Sequence, residues 1–265
     1  TLSIVAPRDA ERLAEIAVGD DPRSVALTPD ASRAFVVNRG DGTLSIVNTV
    51  NREVISTVPV GVLPYAVITD NATTAYICVQ GTDEIIEIDQ NTGEILTRIP
   101  VPADPAGLAL WGDFLYVTHF WTGELSLIYR PQNTLVRTIS TGVDTALFQS
   151  LAINPNNGIA YLPQTRSNAQ NPAITFDTLS FPVVNRVDLS DMSLLRQRRI
   201  AVDVADRAVH MPFSVAIDPV RRLLFVVNAG SNDLAVIDLA SGLALTHINV
   251  NANPRTIRLS RDLSL

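Results

Sequence analysis

Comparable segments open at Pro22, Pro64, Pro105, Phe148, Pro212 and Pro254, reading PRSVALTPD, PYAVITDN, PAGLALWGD, FQSLAINPN, PFSVAIDPV and PRTIRLSRD. Their spacings are 42, 41, 43, 64 and 42 residues. This period is the strongest constraint on the fold, because a short repeat cannot bury its apolar face alone and must stack on its neighbours. Within each period a second apolar run ends about 16 residues on, at Asn38, Gln80, Gln164 and Asn228, with His119 two residues early. A third run (TLSIV, EIIEI, ELSLI, VVNRV, DLAVI) and a fourth (VISTVPV, ILTRIPV, LVRTIST, LLRQRRIAV, ALTHINV) follow. Four short strands per period identify the unit as a propeller blade, whereas solenoid repeats are usually shorter or helical.

The turns agree. TPDAS, NPNNG and DPVRR join first to second strands, and RGDG and AGSND join second to third, all rich in residues that tolerate a left-handed backbone. Several runs are apolar throughout rather than alternating, which fits sheets covered on both faces. The expected fold is all-β: a β-propeller of four-stranded antiparallel blades forming one domain over 1–265. Residues 1–21 end a blade, 22–63, 64–104, 105–147, 148–211 and 212–253 are full blades, and 254–265 start another. The expected ring has seven blades, five complete and two partial in this chain; if the two ends belonged to one blade, it would have six.

Composition narrows the function. With 46% hydrophobic and 18% charged residues the chain can bury a large core. A net charge of −7 and pI near 4.9 argue against nucleic acid, which needs a basic face. All 20 basic residues are arginine. No apolar run reaches the length that crosses a bilayer, so no transmembrane segment is expected. The single cysteine, Cys78 in AYICV, reads as a small buried hydrophobe.

The segments RSVALTPDASRAFVVNRGDGTLSIVNT and FSVAIDPVRRLLFVVNAGSNDLAVIDL resemble the YVTN-type β-propeller repeat family, with its Pro-opened first strand, T-P-D turn, aromatic-V-x-N strand end and V/I-D strand. Gln80 and His119 stand where that family has Asn. AYLPQTRSNAQNPAITFDTLSFPVVNRVDLS is similar to an insert in large bacterial propeller proteins that carry a c-type haem domain of the cytochrome c peroxidase or MauG kind. The resemblance implies a periplasmic or extracellular protein associated with electron transfer. This chain has no C-x-x-C-H, so no cofactor is expected within it, and a c-type haem would belong to a domain outside it.

No catalytic motif is found, and neither catalytic nor metal-binding residues are expected. In a meander the turns joining strand two to three and strand four to the next blade emerge at the same end. That gathers His119, Trp121, Phe148, Arg166, Phe176, Phe181 and His210, together with the insert over about 165–184, on one rim as the candidate binding surface. A long insertion in a regular repeat is more often functional than a short turn. Each residue also has a bland role: the histidines brace loops, Trp121 covers a blade edge, and Arg196, Arg198 and Arg199 guard an outer strand. The leading expectation is a non-catalytic scaffold that docks or positions a protein partner or an adjoining haem domain. The alternatives are a propeller hydrolase or lactonase and a haem d1-type cofactor-holding propeller, each with its site at the channel mouth.

Overall fold

The computed structural model describes residues 1–6, 11–142, 144–167, 180–203 and 209–260. The strands are β1 (Leu2–Val5), β2 (Arg12–Ile16), β3 (Pro22–Leu27), β4 (Arg33–Asn38), β5 (Thr43–Asn48), β6 (Glu53–Pro59), β7 (Pro64–Thr69), β8 (Thr74–Val79), β9 (Glu84–Asp89), β10 (Ile95–Pro100), β11 (Pro105–Trp111), β12 (Phe114–His119), β13 (Glu124–Tyr129) and β14 (Thr134–Ser140). They continue with β15 (Thr145–Ala146), β16 (Ala152–Asn154), β17 (Ile159–Ser167), β18 (Ser180–Asp188), β19 (Ser193–Leu194), β20 (Ile200–Ala201), β21 (Pro212–Asp218), β22 (Leu223–Asn228), β23 (Asp233–Asp238) and β24 (Ala244–Asn249). Among the described residues the only helical turns are short 3₁₀ segments at Arg130–Gln132 and Arg196–Arg198.

β3–β6, β7–β10, β11–β14 and β21–β24 are four-stranded antiparallel meanders, and β15–β20 form one six-stranded sheet. β1 and β2 form a two-stranded antiparallel pair. Residues 254–260 form no ladder among the described residues. Ile257 N nevertheless donates to Ser214 Oγ at 3.4 Å, as Val67 N of β7 donates to Ser24 Oγ of β3 at 3.2 Å, so this segment lies where a first strand lies.

By packing, the chain divides into two compact units, one of Thr1–Val117 with Leu127–Val136, the other of Thr118–Ser126 with Arg137–Leu265. Inside the first unit the sheets stack face to face. Phe35, Val37, Leu44 and Ile46 meet Val67, Ile77, Val79, Ile86 and Ile88 in one core, and Tyr76, Cys78 and Ile85 meet Leu115, Val117 and Ile128 in the next. In the second unit Tyr161, Val184 and Ile200 pack on Val215, Leu224, Val226, Ala235 and Ile237. Second strands such as β4 and β8 are therefore buried at nearly every position, while the outer β6 alternates, which explains their continuous apolar runs.

The opposite end of the sheets does more than turn the chain. Arg33 Nη1 donates to the Gln90 and Asn91 carbonyls at 2.7 and 2.9 Å, Arg130 meets Asp70 at 3.3 Å, and Asn133 Nδ2 donates to Glu87 Oε2 at 2.6 Å. These bonds link β3–β6 to β7–β10, and β7–β10 to β11–β14.

Backbone conformation repeats more strictly than sequence. Asp21, Leu63, Asp104, Leu147, Met211 and Asn253, each immediately before a blade opening, are all left-handed, with φ between 46 and 59°. Leucine and methionine adopt this region at a cost of about 1–2 kcal/mol per residue. Packing of the next sheet therefore imposes the turn at Leu63, Leu147 and Met211.

Candidate functional site

The residue ending each second strand sets the plan of the rim. Asn38 is fully buried, and its Nδ2 donates to Thr43 Oγ1 and Ser45 Oγ of the third strand at 3.0 and 2.9 Å. Asn228 reaches Asp233 at 3.4 Å. These side chains pin the turn between strands two and three, while glycines in that turn let it press on the segment before the blade. A Cβ on Gly230 would lie 2.9 Å from His210 Cβ, and one on Gly40 would collide with the Asp20 carboxylate. The near-duplicate phrases VVNRGDG and VVNAGSND thus encode one clasp, built twice.

His119 holds the same position and is likewise fully buried, its Nε2 lying 2.8 Å from Ser126 Oγ, which is 2.8 Å from Thr138 Oγ1. The following turn carries Phe120 and Trp121, packed edge to face at 4.5 Å, with Trp121 62% exposed. Phe148 lies wholly buried beneath, its N–H donating to the Phe120 carbonyl at 3.1 Å and its carbonyl accepting from Thr118 Oγ1 at 3.1 Å.

The sheet opening at Phe148 departs most from the repeat. Its first strand is split into β15 and β16 around Phe148. β17 and β18 pair over nine residues each, from Ile159↔Asp188 to Ser167↔Ser180, so they run three residues past Gln164, the equivalent of Asn38. This projecting ribbon is the described part of the insert; Phe176 and the segment 168–179 lie outside the described residues. The fourth strand, expected as the continuous run LLRQRRIAV, is instead β19 and β20 separated by the 3₁₀ turn. That turn places Arg196 and Arg198 outward and sends Arg199 inward, so Arg199 guards no edge.

A continuous hydrogen-bonded chain crosses this region. Gly123 N donates to the His119 carbonyl at 3.2 Å, and the Gly123 carbonyl accepts from Thr141 Oγ1 at 2.5 Å. Gln164 Nε2 donates to Thr141 Oγ1 at 2.8 Å, Asn185 Nδ2 to Gln164 Oε1 at 2.7 Å, and Arg199 Nε to Asn185 Oδ1 at 2.7 Å. Arg199 Nη1 then lies 3.6 Å from Asp144 Oδ2, which also accepts from Arg166 Nε at 2.5 Å. Thr141, Gln164 and Asn185 are buried. The side chains of Asp144 and Arg199 are 25% and 17% exposed, and that of Arg166 is 42% exposed. Burial raises the Asp144 carboxyl, but the Arg166 hydrogen bond and the Arg199 charge outweigh it and hold the group below the usual carboxylate range. Asp144 Oδ1 and Arg199 Nη2 are buried without a hydrogen-bond partner. Two guanidinia on one carboxylate leave a net positive charge at the root of the ribbon. Beyond it the Arg166 guanidinium lies 5.7 Å from the Phe181 ring, its ladder partner.

Of the expected rim residues, His119, Trp121 and Phe148 come together around one turn, and Arg166 and Phe181 on the ribbon. His210 is placed against the turn of its own sheet, its carbonyl accepting from Gly230 N at 3.0 Å and its N–H donating to Ser231 Oγ at 3.1 Å. The sequence reading missed Asp144 and Asn185 and set Arg199 on an outer strand as an edge guard. Asn185 was visible only as the N of VVNRV, and Asp144 lies in the segment that lengthens one spacing to 43. Among the described residues no cluster of three His, Cys, Asp or Glu is arranged to hold a metal ion. No described helix is long and apolar enough to cross a membrane.

No protein-family model matches the chain, and no curated protein matches it in sequence. Solved structures match it in fold. A chain of Kuenenia stuttgartiensis hydrazine synthase superposes with a TM-score of 0.89 at 17% identity, covering 98% of this chain and 83% of that one. A functionally unknown protein from Desulfotomaculum acetoxidans DSM 771 gives 0.71 at 14% identity, covering 96% and 80%. With four-stranded antiparallel meanders packed face to face at the sequence period, the chain has the β-propeller fold.

Proposed function

We propose that this chain is an extracytoplasmic β-propeller of the YVTN type that acts as a non-catalytic docking scaffold, holding a c-type haem domain or redox protein partner against the face that bears the β17–β18 ribbon. The observation that carries this reading is the ribbon itself. It is the one large departure from the repeat among the described sheets, and it is braced at its root by Arg166, Asp144, Arg199, Asn185 and Gln164. A meander needs no such projection to fold. A projection whose root is held by hydrogen bonds and an ion pair gives a partner a surface with little ordering cost on binding. The likeness of fold to a hydrazine synthase chain supports an association with enzyme chemistry.

The test is isolation of the protein from its native source under mild conditions, with c-type haem in the recovered complex measured by its pyridine haemochrome spectrum. Haem retained by the wild type and lost in Trp121→Ala and Phe181→Ala, both still folded by circular dichroism, supports the reading. Recovery without a haem-bearing partner, or equal retention by the variants, overturns it.

A further inference from the structure

We infer that the guanidinium of Arg186 on β18 anchors a binding site for a small organic carboxylate. Arg186 takes no part in the brace of the ribbon, so this site is independent of the docking reading.

Register marks Arg186 out. In each of four sheets the aromatic residue of the second strand faces one residue of the third: Phe35 faces Ile46, Tyr76 faces Glu87, Tyr161 faces Arg186 and Phe225 faces Val236. Ile46 and Val236 are apolar, as a position covered by the next sheet requires. Glu87 is charged and satisfied, since its Oε1 accepts from Tyr76 Oη at 3.3 Å and its Oε2 from Asn133 Nδ2 at 2.6 Å. Arg186 is half-buried and has no counterpart of these bonds. Its guanidinium carbon lies 5.5 Å from the centre of the Tyr161 ring, its Nε is buried without a hydrogen-bond partner, and no described carboxylate pairs with it. Burial lowers its pKa, Tyr161 partly offsets this, and the charge of Arg198 adds to the lowering. The fold therefore keeps a cation where other sheets place a satisfied group or a hydrocarbon.

The next sheet meets this cation with a residue that has no side chain. Gly242, in the turn between β23 and β24, is placed so that a Cβ on it would lie 3.3 Å from Arg186 Nη2. The matching Gly93 between β9 and β10 sets its own imagined Cβ 2.9 Å from Ile46 Cδ1, a hydrocarbon contact that leaves no polar group unpaired. The ligand class follows from the donors on hand. A guanidinium offers a planar fork that matches a planar carboxylate through two parallel hydrogen bonds. A phosphate dianion needs more, and the turn has nothing to add. Ala240 N, Ser241 N and Gly242 N are all spent on Asp238, at 3.1, 2.9 and 2.8 Å. In a chain of net charge −7 a single cation neutralises a monoanion and leaves a dianion half compensated.

The experiment follows thermal unfolding of the whole chain by circular dichroism while sodium acetate replaces sodium chloride at constant ionic strength, up to about 100 mM. Wild type is compared with Arg186→Ile, which installs the residue found at 46, with Arg186→Gln, and with Arg12→Gln, which removes an exposed arginine paired with Glu15. Acetate is expected to raise the midpoint of wild type and Arg12→Gln by about 2–4 °C and to leave both Arg186 variants unmoved. In chloride alone Arg186→Ile is expected to melt above wild type, because it removes a half-buried cation that has no acceptor. No rise in wild type, an equal rise in the Arg186 variants, or an Arg186→Ile midpoint below wild type in chloride would each overturn the inference. So would inorganic phosphate, if it gave a larger Arg186-dependent rise than acetate.

Discussion

Replacing Asp144 with asparagine keeps the shape of the side chain and removes the charge that two arginines share. The hydrogen bond from Arg166 Nε at 2.5 Å is charge-assisted, a class contributing about 1.5–3 kcal/mol. Because the Arg166 side chain is 42% exposed, the lower end applies. The Arg199 contact at 3.6 Å adds about 0.5 kcal/mol as a longer ion pair. The expected loss is about 2 kcal/mol near neutral pH, or about 4–8 °C in melting temperature for a chain of this size. The pH dependence follows from sign. The folded carboxyl titrates below its unfolded value of about 3.9, so its stabilisation is present above that value and is lost as pH falls through the folded pKa. Urea unfolding of wild type and Asp144→Asn at several pH values, read by circular dichroism, should show a gap that is constant above about pH 5 and closes below about pH 4. A neutral-pH loss under about 0.5 kcal/mol, or a gap undiminished in acid, would refute the account of the triad.

Three further outcomes are expected. His119→Ala should cost about 2 kcal/mol, by leaving a cavity and stripping a partner from Ser126, whereas His119→Asn, the residue found at 38 and 228, should recover about half or more in urea unfolding. Leu63→Asn should raise stability by about 0.5–1 kcal/mol in thermal melts, since φ is 56° and the side chain is already 37% exposed. Cys78, fully buried with its thiol pushed well up by desolvation, should react with an aromatic disulfide reagent only at the rate of unfolding, so prompt labelling of the native protein would contradict its place in the core.

The fold was legible because period and pattern point the same way. AFVVN, AYICV and LFVVN are apolar without alternation, a pattern that a strand covered on both faces needs. The residues before each opening were not legible. Asp21, Asp104 and Asn253 belong to a type that tolerates a left-handed backbone, but Leu63, Leu147 and Met211 do not, and nothing local announces their turn. The staples Arg33, Arg130 and Asn133 were hidden for a related reason. Each joins sheets whose strands are far apart in sequence, and a repeat pattern gives the strands without saying which polar side chains meet across them.

The candidate site was legible as a disturbance and illegible as a mechanism, and the cause lies in how the disturbances depend on one another. Lengthening the β17–β18 pair carries its end beyond the reach of ordinary first and fourth strands, which here pair with it only in two- or three-residue pieces. Backbone groups released by those short strands need other partners. Asp144 takes one through its carbonyl, which accepts from Ser167 N at 2.8 Å, and its carboxylate then anchors Arg166 on the same strand. Gln164 and Asn185 replace the shorter Asn38 and Ser45 of an ordinary sheet and so span the wider gap to Thr141 and Arg199. Phe148 in place of proline, the broken fourth strand, the inward Arg199 and the longer bracket side chains therefore act as one structural change with one product, a braced ribbon. Read singly along the chain they are four irregularities; only the register that pairs Arg166 with Phe181 and Thr145 shows that they serve the same projection.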